Sequence, residues 1–116
     1  MTDFEIFKKT FTKYQEEFGL TGYQIYFEHK SLKVSAFAQI IADQRNAAAT
    51  VILNSKLLPE NIPFKNVKRS AKHEAIHLLL ERLEHLARCR YIGEEEIYEA
   101  VEELVVKLEK LIPDVR

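Results

Sequence analysis

The hydrophobic period of this chain changes twice, and those two changes restrict its folding more than any other feature. Phe4, Phe7, Phe11, Tyr14 and Phe18 recur at steps of three and four, which places five aromatic rings on one face of a helix. Thr2 or Asp3 is the natural N-cap, and Gly19 stands where a left-handed C-cap would end the helix. From Tyr23 the period falls to two. Tyr23, Ile25 and Phe27 alternate with Gln24, Tyr26 and Glu28, as in a strand buried on one face. Val34 to Ala42 reads as a second strand and Ala48 to Leu53 as a third, with a turn at Asp43 to Asn46. Short connections favour an antiparallel meander, at least for the last two.

After Pro59 and Pro63 the helical period returns. A helix is expected from about Asn66 to Arg88, with the apolar stripe Ile76, Leu79, Leu83 and Leu86. Beyond Gly93, a last helix from about Glu94 to Ile112 carries Ile97, Val101, Leu104, Leu108 and Leu111, and Pro113 closes it. Helix, three strands and two helices make an α+β pattern, read as a single domain over 1–116 with a mostly antiparallel three-stranded sheet. With 47% hydrophobic residues in 116, one core is enough.

Charge and cysteine content narrow the function classes. Seventeen basic residues against eighteen acidic ones leave a net charge of −1, which argues against a protein that coats nucleic acid or an anionic membrane. A single cysteine, Cys89, makes no internal disulfide, so a reducing compartment is expected. No apolar run approaches the ~20 residues that span a bilayer. The first residues lack the basic and apolar pattern of a secretory signal. The expectation is a cytoplasmic protein with no membrane partner.

The segment that carries chemistry is His73-Glu74-Ala75-Ile76-His77, an H-E-x-x-H sequence. Residues four apart on a helix share a face, so His73 and His77 can bind one zinc ion. Glu74 then lies beside the metal without ligating it and can take a proton from water held there. A catalytic zinc takes three protein ligands and keeps one position open. A straight helix moves ~5.4 Å along its axis per turn, so Glu81, Glu84 and His85 do not come round to the metal. The third ligand is therefore expected from the acidic last helix. By helix phase Glu96, Glu99 and Glu103 point away from its apolar stripe. Glu94 points into the stripe but sits at the helix start, and Glu102 and Glu95 lie on its shoulder. Glu102, mid-helix among apolar neighbours, is the first candidate and Glu95 the next.

The HEAIH helix after an Ala-rich strand, followed by a glutamate-bearing helix, resembles the zincin metallopeptidases of the glutamate-ligand, thermolysin-like branch. It is most similar to their short phage and prophage forms, little more than a catalytic core. The likeness covers residues 36 to 112, and its specific part is HEAIH. It implies a minimal zincin-like domain in which His73, His77 and Glu102 hold zinc and Glu74 is the general base in peptide-bond hydrolysis. It also implies that Ala48 to Leu53 is the strand along which an extended peptide or protein substrate adds. His77 is followed by Leu78-Leu79-Leu80, so the metzincin extension is missing. Tyr98, His85 and Tyr91 are the candidates for stabilising the oxyanion.

Two rival functions stay open. One is a catalytically inactive zincin-like binding or regulatory module. The other is a metal-free interaction domain using the basic cluster Lys65, Lys68, Arg69 and Lys72. Cys89, flanked by Arg88 and Arg90, reads as structural for want of a histidine partner.

Overall fold

Thr2 starts the first helix by a reciprocal cap. Its hydroxyl accepts from the Glu5 amide at 3.2 Å, while the Glu5 carboxylate accepts from the Thr2 amide at 3.4 Å. In the computed structural model, which describes residues 1–33 and 35–114, this helix is α1, Asp3–Glu17. Three strands follow, β1 (Gln24–Lys30), β2 (Ala38–Asp43) and β3 (Ala48–Asn54). A 3-10 turn at Ile62–Phe64 leads into α2 (Val67–Arg88) and then α3 (Glu94–Leu111). The fold is α+β.

The aromatic stripe of α1 does what its spacing predicts. Phe7 and Phe11 are fully buried, and both rings meet Phe27 of β1 edge-on, at 6.4 and 5.6 Å between centroids. Gly19 takes φ +69°, the left-handed conformation in which a side chain is strained. The exposed carbonyls at this end receive Lys107 of α3, whose ammonium donates to Phe18 O at 3.2 Å and Gly19 O at 3.0 Å. The last turn of α1 has no basic residue of its own, so this cation from α3 complements its dipole.

β3 is the central strand. Ala49, Val51, Ile52 and Leu53 are all buried, so both of its faces are covered and its backbone groups are paired on both edges. β2 joins it by the expected hairpin, antiparallel, with Ile40 opposite Val51. β1 pairs with its other edge in parallel, with Phe27 beside Val51. The sheet is therefore mixed rather than mostly antiparallel, in the order β1-β3-β2. β2 begins at Ala38, so residues 35–37 of the expected strand lie outside it. The Ala36 carbonyl is taken at 2.8 Å by the Asn54 side chain instead of a neighbouring strand, and Val34 lies outside the described residues.

α1 and α2 cover one face of the sheet. Phe7, Phe11, Leu20, Val51, Leu53, Ala71, Ala75, Leu78 and Leu79 share a core cluster. The stripe expected on α2 is rotated. Ala71, Ala75, Leu78 and Leu79 are the buried apolar positions, so Leu79 of the expected stripe holds while Ile76 is 40% exposed. Two alanines let the helix come close to α1 and the sheet, and Leu78 and Leu79 fill the core beside them while Ile76 and Leu80 fall outside that contact. On α3, Ala100 is buried and Leu104 and Leu111 pack against the core, but Val101 and Leu108 face outward. Among the described residues no helix is long and apolar enough to cross a membrane.

Gly19→Ala should destabilise the protein by about 1–2 kcal/mol, because the alanine must hold a left-handed conformation. Its methyl would also stand 2.9 Å from the Lys107 ammonium. Urea unfolding measures this, and an unchanged midpoint would show that the α1–α3 cap contributes nothing.

Candidate functional site

α2 carries the H-E-x-x-H segment in its second and third turns, after Asn66 caps it by accepting from the Arg69 amide at 3.1 Å. His73 and His77 are exposed on α2, and their Nε2 atoms stand 3.2 Å apart. Two imidazoles on one tetrahedral zinc, each at ~2.05 Å, would have their nitrogens about 3.3 Å apart. The pair thus fits two positions of such a site. Free of metal, the same separation lets one imidazole donate to the other.

Glu74 sits between the core and the cleft. It is 5% exposed, one of two buried polar residues among those described. Burial pushes its carboxyl above the ordinary glutamate range, while His77 and His73 pull it back down. A carboxyl raised in this way keeps its proton to higher pH than an exposed glutamate does.

His73, Glu74 and His77 line a cleft of about 480 Å³ whose other wall is β2, from Ala38 to Ala42. A second hollow of about 470 Å³ shares Ala38, His73 and Glu74 and continues past Phe37, Phe64 and Arg69. Together they form a groove along β2. Because β3 occupies one side of β2, the other edge of β2 keeps its backbone groups unpaired within the sheet. The strand beside the site is therefore β2. Ala48 to Leu53, expected to receive a peptide, is hydrogen-bonded on both sides and has no free edge.

The structure brings His73, Glu74 and His77 together, but places Glu102 on an exposed face of α3, outside the cleft. Glu94 and Glu95 are exposed at the start of α3. Among the described residues no three His, Cys, Asp or Glu side chains form a group placed to hold a metal ion. Glu99 and Glu103, expected to point away, instead pair with Arg82 of α2. Glu81, one turn beyond His77, lines the cleft, and burial followed by the nearby Glu84 charge raises its carboxyl. Glu84 is itself paired with Arg88.

The oxyanion candidates are scattered. Tyr91 and Tyr98 are 90% and 66% exposed. His85 lines a neighbouring hollow with Ala42, Glu81 and Arg88, and its Nε2 lies 3.8 Å from the Cys89 sulfur. That cysteine does have a histidine partner, at the i,i+4 spacing that also joins His73 to His77. Two members of the basic cluster are engaged: Lys65 pairs with Asp3 at 2.7 Å and the Lys72 ammonium lies 5.8 Å from the Tyr14 ring centroid.

Asn54 supports the groove in a way its sequence position as a strand end does not suggest. It is buried, gives its side-chain amide to Ala36 O and accepts from the Leu32 and Lys56 amides at 3.1 and 3.0 Å. These three bonds hold the chain that enters β2 at the groove wall.

Compared with known proteins, the chain matches no family model, no curated protein and no solved structure.

Burial of Glu74 gives a pH signature. Its raised native pKa means the folded chain binds the proton more tightly than the unfolded chain, so stability falls as pH rises from the ordinary glutamate range through the native value. Glu74→Gln lacks this loss. Its melting temperature, measured without metal, should rise relative to wild type across that window and then stay level. A difference independent of pH would contradict the assignment.

Proposed function

We propose that the protein is a zinc-dependent metallopeptidase with His73 and His77 as ligands and Glu74 as general base. The observation that carries this reading is the convergence of the two Nε2 atoms, 3.2 Å apart, beside a buried carboxylate on a groove walled by a free strand edge. Zinc bound there would supply a Lewis acid that polarises the scissile carbonyl and makes water more acidic. The chain supplies the rest. The Glu74 carboxylate accepts a proton from the attacking water and returns it to the departing amine. An extended peptide adds to the open edge of β2, whose amides and carbonyls fix its register.

The zincin resemblance gives Glu102 as the third ligand. Of the glutamates besides Glu74 that line the cleft, Glu84 is paired with Arg88. Glu81 is the rival, although helix rise sets it a turn beyond the histidine pair. Zinc affinity of Glu102→Gln and Glu81→Gln separates the two. Whichever variant loses more than ~100-fold marks the ligand, since removing a group that only supports a ligand costs ~10–100-fold.

A second reading is favoured by the exposed position of Glu102 and the absence of Tyr98, Tyr91 and His85 from the cleft lining. It is a zincin-like module that holds zinc and peptide without cutting. Incubation with unfolded protein and a peptide library, read by mass spectrometry, distinguishes them. The peptidase reading expects cleavage that Glu74→Gln lowers by roughly 10²–10⁴-fold with zinc retained. Equal cleavage by wild type and variant would rule out Glu74 as the base. Zinc bound without cleavage would favour the module.

A further inference from the structure

α3 has two apolar faces, and only one is covered. Ala100, Leu104 and Leu111 turn toward the domain. A second row, Tyr98, Val101, Val105, Leu108 and Ile112, recurs at steps of three and four, and every member is more than a third exposed. This is the spacing of a coiled-coil seam, and it runs ~21 Å along the helix.

The charge beside the seam selects its occupant. Glu95, Glu102 and Glu109 are spaced seven apart, all exposed, and form one row of carboxylates along the flank facing away from the domain. We propose that this face of α3 docks an amphipathic helix of a partner protein whose apolar seam is flanked by Lys or Arg. A second copy of the chain is a poor occupant. Antiparallel pairing of two α3 helices would set the glutamate row against itself. Parallel pairing would set it against the Ile97–Leu104 side, where Leu104 is packed into its own domain. A basic helix satisfies the seam and the row together, and Glu95, Glu109 and the apolar seam take no part in the proposed zinc site.

The test uses two synthetic peptides of about four helical turns with the same Leu/Ile seam, one flanked by Lys and one by Glu. Fluorescence anisotropy with the full chain should show the Lys peptide binding at least ~10-fold tighter, with affinity falling as salt rises. Val105→Glu, at an exposed position, should abolish binding while circular dichroism shows an unchanged fold. Glu109→Lys should narrow the gap between the peptides. The proposal is overturned if neither peptide binds, if both bind equally, or if Val105→Glu binds like wild type. A stable dimer of the chain alone in sedimentation would assign the seam to a second copy and overturn it as well.

Discussion

A strand whose side chains are buried on both faces has to be central, and β3 is such a strand. Val51 and Ile52, on opposite faces, are both essentially inaccessible, so β3 needs a neighbour on each edge. The short turn after β2 makes β2 one of them and leaves β1 the other. β2 is thereby an edge strand, and α2 packs so that its histidines look along that edge. If β3 were shifted to the outside, the groove would lose its wall. The placement of the site follows from how the sheet satisfies its most apolar strand.

The second constraint is the closeness of α2 to the core. Ala71 and Ala75 are fully buried and permit an approach that larger residues would prevent. That approach also draws Glu74 under cover. A carboxylate in this position is costly, and the exposed imidazoles one residue before and three after it are the groups that lower the cost. Burial of Glu74 therefore costs stability, and a proton-transfer role of the kind proposed for it would account for keeping a carboxylate there.

The parts of the fold legible in the sequence are those written in local periodicity. The α1 aromatics, the Thr2 cap, Gly19 and the β2–β3 hairpin each depend on residues a few positions apart. The parallel β1–β3 pairing depends on which strand is most deeply covered, a property of the whole sheet. The phase of α2 was partly hidden because two of its four buried apolar positions, Ala71 and Ala75, add little to a hydrophobic stripe beside Ile76 and Leu83, although Leu79 was legible. Lys107 capping α1, Asn54 gripping Ala36 and Arg82 drawing in Glu99 and Glu103 are long-range polar contacts with no local signature. At the site, the H-E-x-x-H spacing was sufficient to bring together His73, Glu74 and His77. Helix phase on α3 placed Glu102 beside an apolar stripe, but most of that stripe faces solvent.

Everything proposed for the groove depends on His73 and His77 acting as one ligand pair. The most direct measurement is the zinc content of protein purified without a histidine tag and dialysed with added zinc, comparing wild type with His77→Ala by elemental analysis. The account predicts about one zinc per wild-type chain and a loss of most of it in the variant. Wild-type protein that takes up no zinc, or a variant that keeps it all, would contradict the account and leave the 3.2 Å contact as a hydrogen bond between two surface imidazoles.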